Sequence, residues 1–192
     1  MKKLLITGFD AFGADSVNPS WEAVQRLPEE IGDFQLKKLG IPTVFGQGAA
    51  DVLATAQDFQ PDLILCVGLA AGRDAVTPER IAVNIRHARI PDNRGFQPQG
   101  ERIVPDGPAA YFTTVPVEAM ARAIQKASVP STVSNTAGTY VCNDVLYTLL
   151  HHYAGTPVQV GFIHVPYLPE QGSPSLPLDQ TIAALIAAIE TC

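Results

Sequence analysis

The sequence predicts a single-domain α/β fold with a central, largely parallel twisted sheet flanked by helices. Three observations carry that prediction. Asp62-Leu63-Ile64-Leu65-Cys66-Val67-Gly68 is almost continuously apolar, the pattern of a strand covered on both faces. Similar short runs alternate along the chain with longer segments whose apolar residues recur at helical spacing, an order that builds layered α/β structures. The 192 residues contain no interdomain linker, internal repeat or low-complexity tract, so residues 1–192 are expected to fold around one core.

Residues 2–7 are rich in Leu and Ile and end at Gly8, which reads as a buried strand. The loop Gly8-Phe9-Asp10-Ala11-Phe12-Gly13 follows; its glycine spacing is not that of a dinucleotide fingerprint. Its two aromatics either tuck into the core or face a ligand. Asn18-Pro19 supplies an N-cap and a first-turn proline for a helix over 20–27, with Trp21, Val24 and Leu27 on a common side. Residues 34–41 read as a strand closed by Pro42, and 46–59 as a helix presenting Ala50, Leu53 and Ala54. After the 62–68 strand comes a loop through Asp74, then 78–86, which alternates in part and predicts another strand. Residues 88–107 lack periodicity, and an excursion of that length in a compact domain usually serves function or interaction. An amphipathic helix over 116–127 presents Val117, Met120 and Ile124. Residues 130–134 and 158–165 read as strands, and Ile182, Leu185, Ile186 and Ile189 mark a final helix.

Composition excludes several classes. Hydrophobic residues make up 46% and charged residues 17%, as in ordinary globular proteins. The formal net charge of −6, with no Lys/Arg-rich run, argues against a nucleic-acid partner. Gly8 and Asp10 cut the first apolar run too short for a signal peptide, and no stretch is long enough to span a membrane. Three widely spaced cysteines do not make a disulfide framework. The expectation is a cytoplasmic chain with reduced thiols. His151 and His152 are adjacent and make a poor metal pair, and no cluster has ligand spacing, so no metal and no cofactor is expected.

The stretch Ser134-Asn135-Thr136-Ala137-Gly138-Thr139-Tyr140-Val141-Cys142-Asn143 organises the chemistry. Its first half has turn composition. From Val141 the pattern is helical, with Val141, Val145, Leu146 and Leu149 on one face. Cys142 therefore lies in the first turn of a helix, off that apolar stripe. A helix N-terminus favours a thiolate, the nucleophilic form of cysteine. The competing reading is a small buried hydrophobe. His164 lies near a strand's carboxyl end, where α/β sites gather, and Glu79 stands at a strand entrance. Singly, each is more often structural. Together they are the inventory of a Cys-His-acid triad, with Arg89 and the Cys142 N–H as candidate oxyanion donors. Cys66, inside a strand, reads as structural, and Cys192 has no assigned role.

Along nearly its full length the chain resembles the pyrrolidone carboxyl peptidases (pyroglutamyl peptidase I), a family of cysteine exopeptidases. The resemblance is carried by Gly8 to Gly13, Gly72-Arg73, Glu79-Arg80-Ile81-Ala82-Val83-Asn84 and Ala88-Arg89-Ile90-Pro91-Asp92-Asn93. It continues through Asp106-Gly107-Pro108-Ala109-Ala110-Tyr111-Phe112, the Ser134 to Asn143 stretch, and Gly161-Phe162-Ile163-His164-Val165-Pro166-Tyr167-Leu168-Pro169-Glu170-Gln171. It implies an α/β/α fold of phosphorylase or hydrolase type and removal of an N-terminal pyroglutamate from peptides through a thioester acyl-enzyme. It implies Cys142 as nucleophile, His164 as general base and acid, Glu79 as orienting acid, and Arg89 near the carbonyl oxygen. Phe9 and Phe12 are similar to the family's ring-contacting aromatics, Asn18 to a residue bracing their loop, and Tyr140 and Val141 adjoin the same pocket. A homotetramer is also implied, with the 88–107 excursion as a candidate interface.

Three positions depart from the family pattern: Ala71 and Ala11 stand where proline is common, and His87 where aspartate is frequent. None touches the triad. Two other readings exist. A phosphorylase-like enzyme would need a phosphate site, for which there is no Gly-rich loop or basic cluster. A silent binding module would not need Glu79, Cys142 and His164 together.

Overall fold

Successive side chains of a strand point to opposite faces of its sheet, and in this protein both faces are covered. The computed structural model describes residues 1–192. Its main sheet contains β1 (Lys2–Phe9), β2 (Glu30–Ile31), β3 (Phe34–Ile41), β4 (Leu63–Leu69), β5 (Thr77–Pro78) and β10 (Gln159–Val165). They lie in the order β2-β3-β1-β4-β10-β5. The four long strands are parallel, and the two short edge strands pair antiparallel. Two small ribbons complete the strand set. One pairs β6 (Ile81–Val83) with β9 (Ala110–Phe112), the other β7 (Arg86–His87) with β8 (Gln99–Glu101).

Five helices cover the sheet: α1 (Pro19–Gln25), α2 (Gln47–Phe59), α3 (Val117–Lys126), α4 (Val141–His152) and α5 (Leu178–Ile189). On one face, Leu4, Ile6, Leu63, Leu65, Ile163 and Val165 pack with Val24 of α1, Met120 and Ile124 of α3 and Leu185 of α5. On the other, Leu5, Ile64, Cys66, Val160 and Phe162 pack with Val52 of α2 and Val145, Leu146 and Leu149 of α4. This is the expected α/β architecture. No helix is long and apolar enough to cross a membrane.

Each α1 signal acts as its chemistry suggests. Asn18 caps the helix by accepting from Ser20 N at 3.1 Å, and Pro19 occupies the first turn. Other elements differ from expectation. The buried positions of α2 are Gly48, Ala49, Val52 and Ala56, whereas Ala50 and Ala54 are exposed. Close packing decides this: a Cβ on Gly48 would lie 3.1 Å from both Pro42 O and Val145 Cγ2. The run 78–86 is not one strand. Glu79 N donates to Phe162 O at 2.9 Å and Arg80 N to Ser134 O at 2.8 Å, so the chain leaves β10 for the segment before α4 and breaks into three pieces. That segment, 130–134, makes only isolated bridges, at Ser131 and Ser134. The 88–107 excursion carries one short strand, β8.

From β1 the chain places β3 on one side and β4 on the other. Such a reversal opens a crevice at the strands' carboxyl ends. The loops after β1, β4 and β10 gather there.

Candidate active site

Strand alternation puts His164 on the same face as Val160 and Phe162, and that face is covered by α4. Its register partner on β4 is Gly68. Cys142, the second residue of α4, fills the space that a larger residue at 68 would take. A Cβ there would lie 3.0 Å from Cys142 Sγ and 2.8 Å from Phe162 Cζ. The missing side chain at Gly68 thus brings the thiol down onto the strand that pairs with His164.

Glu79 is fully buried. Its Oε1 lies 2.7 Å from His164 Nδ1 and accepts a hydrogen bond from Arg73 Nη1 at 2.6 Å. The neutral imidazole with its proton on Nδ1 donates to Glu79 and leaves Nε2 as an acceptor. Glu79 Oε2 is buried and has no partner. Arg73 also donates to Thr77 Oγ1 and, through Nη2, to Thr136 O at 3.2 Å. From the sequence, Arg73 is a loop residue within the matching Gly72-Arg73 motif, with no role attached; that motif and a glutamate six positions on were the available signals.

The first turn of α4 is held from two sides. Asn143 accepts from Val83 N at 2.9 Å and donates to Val83 O and Ile85 O at 2.9 and 3.1 Å. Asp144, fully buried, accepts from Gly46 N at 2.7 Å and from Arg86 Nε at 2.6 Å. These bonds fix the helix start that carries Cys142. Neither residue was singled out from the sequence, because their partners are remote in the chain.

Beside Cys142 lies a small pocket walled by Phe9, Phe12, Asn18, Thr43, Leu69 and Tyr140. Four of the five residues expected to contact substrate are among its walls. Val141 is not; it is fully buried among the side chains between α4 and the sheet. Thr43 and Leu69 are walls that sequence reasoning did not name. Asn18 Nδ2 donates to Asp10 O at 2.9 Å, bracing the loop that carries Phe12. Tyr140 packs on Phe12 and Phe45 at ring-centroid distances of 6.0 and 5.3 Å and donates to Pro91 O at 3.0 Å. Arg89 is exposed. Its backbone carbonyl accepts from Gln97 Nε2 at 3.0 Å, and its guanidinium forms no ion pair.

Burial is the largest single influence on each of these groups, and it prevails at Cys142 and His164. It pushes the Cys142 thiol up to about 12, with the Glu79 and Cys66 charges adding to the rise and Arg73 and the backbone N–H of Cys142 opposing it. The helix N-terminus therefore does not make a resting thiolate, contrary to the expectation from position alone. Burial also lowers the His164 pKa, against the Glu79 hydrogen bond that raises it. Burial works to raise the Glu79 pKa, but the bond and charge of His164, the nearby Ser134 hydroxyl and the Arg73 bond leave it lowered. The resting arrangement is a neutral thiol, a neutral imidazole and a carboxylate.

Comparison with known proteins bears on this geometry. A family model described as pyroglutamyl peptidase matches residues 2–192. The pyrrolidone-carboxylate peptidase of Levilactobacillus brevis is 54% identical over 194 residues, covering 97% of this chain and 95% of the relative. That of Bacillus subtilis is 50% identical over 197 residues, covering 98% and 91%. Among solved structures, pyroglutamyl peptidase I of Bacillus amyloliquefaciens superposes with a TM-score of 0.96 at 47% identity, covering 100% of this chain and 96% of that one. The pyrrolidone carboxyl peptidase of Thermococcus litoralis gives 0.95 at 38%, covering 100% and 93%. With its fold, and with matches along essentially the whole chain, this protein belongs to the pyroglutamyl peptidase family of cysteine peptidases.

Proposed function

We propose that this enzyme removes N-terminal pyroglutamate from peptides by a Cys142-His164-Glu79 mechanism. The observation that carries the proposal is the buried 2.7 Å contact between Glu79 Oε1 and His164 Nδ1, on the strand whose neighbour, at Gly68, supports the Cys142 thiol. Glu79 holds the Nδ1 tautomer, and His164 Nε2 takes the Sγ proton as sulfur attacks the pyroglutamyl carbonyl. The Cys142 N–H, which bears on its own sulfur, donates to the developing oxyanion, and the exposed Arg89 guanidinium adds positive charge on that side. Collapse breaks the C–N bond, the imidazolium gives its proton to the departing amine, and an acyl thioester remains. Water, deprotonated by His164, attacks the thioester; 5-oxoproline leaves and the thiol is regenerated.

The pocket accounts for the specificity. Its walls are mainly apolar and aromatic, with Asn18 and Thr43 as the polar members, which suits a flat, neutral lactam. An ordinary N-terminus would bury an unpaired ammonium there, at a cost of roughly 2 kcal/mol or more. Phe9, Phe12, Asn18 and Tyr140 contact or brace the ring, and Val141 serves by seating the helix start. Exposed Ile90, Phe96 and Phe112 supply apolar surface for the expected homotetramer, and a free thiol nucleophile suits a reducing cytoplasm. The test is mass-spectrometric detection of the first residue released: 5-oxoproline from a pyroglutamyl peptide, and proline from the same peptide beginning with proline. Release from the first alone is expected. Equal trimming of both, or of neither, would overturn the assignment.

A further inference from the structure

The guanidinium of Arg73 has no place in the mechanism above, yet it reaches the centre of the site. It projects from the loop between β4 and β5, is about a third exposed, and meets a carboxylate that is wholly buried. Its Nη1 and His164 Nδ1 converge on the same oxygen, Glu79 Oε1, at 2.6 and 2.7 Å. Nη1 also reaches Thr77 Oγ1 on β5, and Nη2 reaches Thr136 O in the turn that leads to α4. One side chain therefore ties together the edge strand, the orienting acid and the approach to the nucleophile.

The second carboxylate oxygen makes this arrangement informative. Glu79 Oε2 is buried without a partner; the nearby Ser134 hydroxyl donates to Thr136 O instead, at 3.1 Å. A carboxylate with one oxygen unpartnered can swing its plane out of line with the imidazole. The Arg73 guanidinium, anchored at Thr77 and Thr136, opposes that swing by holding Oε1. We infer that Arg73 is the positioning residue of this site: it holds the Glu79 carboxylate in line with His164 Nδ1, so that the imidazole keeps its Nδ1 proton there and presents Nε2 to Cys142. The inference rests on the Cys142-His164-Glu79 reading.

The charge of Arg73 acts with its geometry. The groups facing Glu79 are His164 from β10, Cys142 from α4, Ser134 from the segment before α4, and Arg73 itself. Arg80 turns away to Asn135 and Glu118. Arg73 is thus the one permanent cation of the group. It favours the ionised carboxylate, the neutral imidazole and the deprotonated thiol. Removing it moves all three equilibria toward higher pH, a common sign that loss of packing alone would not produce.

The test compares wild type, Arg73→Gln and Arg73→Lys by pH profiles of kcat and KM on a pyroglutamyl-amide reporter. The His164 imidazole titration is followed separately by NMR in a Cys142→Ala background, which needs no turnover. Arg73→Gln is expected to lower kcat about 10-fold or more with KM changed by less than about 3-fold. Its acid limb and its His164 titration should both move to higher pH, and Arg73→Lys, which restores the charge, should bring both back. If Arg73→Gln does not fold, Arg73→Lys carries the decision: reduced kcat at unchanged KM, with the His164 titration kept at the wild-type pH, supports the geometric role, and wild-type kcat, or a fall in kcat matched by a rise in KM, overturns it. Unchanged kcat and pH profile in Arg73→Gln would overturn the inference, as would equal losses in both variants without movement of the His164 titration. Turnover by the Cys142→Ala protein would instead sink the nucleophile assignment, and the NMR arm would show whether the electrostatic role of Arg73 stood without it.

Discussion

Cys142 Sγ occupies the space where a side chain at Gly68 would begin: a Cβ there would lie 3.0 Å from the sulfur. The height of the Cys142 sulfur above the sheet is set by this glycine, which is also the register partner of His164. Gly68→Ala would push on Cys142 and on the Phe162 ring together. The expected result is a stability loss of about 1–3 kcal/mol from overpacking, and a fall in kcat of about 100-fold from a displaced sulfur. Denaturant melts and steady-state kinetics check this; an alanine variant with wild-type kcat would contradict it.

Glu79→Gln keeps the shape of the side chain that meets His164 Nδ1 and Arg73 and removes its charge. The amide cannot hold His164 and Arg73 as a carboxylate does, and it admits the wrong imidazole tautomer. A loss of about 100-fold or more in kcat, with little change in KM, is expected. A variant within a few-fold of wild type would show that the imidazole is oriented by something else.

The pH dependence has a definite sign. Imidazolium cannot accept the thiol proton, so activity falls as pH drops through the His164 pKa. Burial, outweighing the bond from Glu79, holds that pKa below its ordinary value of 6.5, which keeps the base neutral further into the acid range. The acid limb of kcat/KM is therefore expected below 6.5. A midpoint above that value would contradict the assignment of this limb to His164.

Asn143 supports the site without touching it. Asn143→Ala removes three hydrogen bonds and leaves Val83 N, Val83 O and Ile85 O without this partner. Unfolding free energy should fall by roughly 2–4 kcal/mol. A loss below about 1 kcal/mol would mean that water or relaxation replaces those bonds.

What the sequence discloses and what it hides divide along physical lines. The face of α4 was legible, because Val141, Val145, Leu146 and Leu149 contrast with their neighbours and all are buried. The face of α2 was not, because alanines lie on several sides and the choice falls to the close approach of Gly48 to Val145. The break within 78–86 was hidden for a similar reason: Glu79 and Arg80 bond to β10 and to the segment near Ser134, partners that no local pattern reveals. At the candidate site, motif resemblance singled out Cys142, His164 and Glu79, and it included Arg73 within a matching motif without a role. Thr43 and Leu69 were not singled out, since their place beside Cys142 exists only once loops meet at the sheet's carboxyl edge. The ionisation state of Cys142 needed the structure as well, because helix position and burial push it in opposite directions.

The most direct measurement is hydrolysis of a pyroglutamyl-amide reporter against its prolyl counterpart by wild type and by Cys142→Ala, with circular dichroism to confirm that the variant is folded. The site described here requires selective cleavage of the pyroglutamyl reporter by wild type and none by the folded variant, with Cys66 and Cys192 still present. Near-wild-type hydrolysis by Cys142→Ala, or equal cleavage of the prolyl reporter, would contradict it.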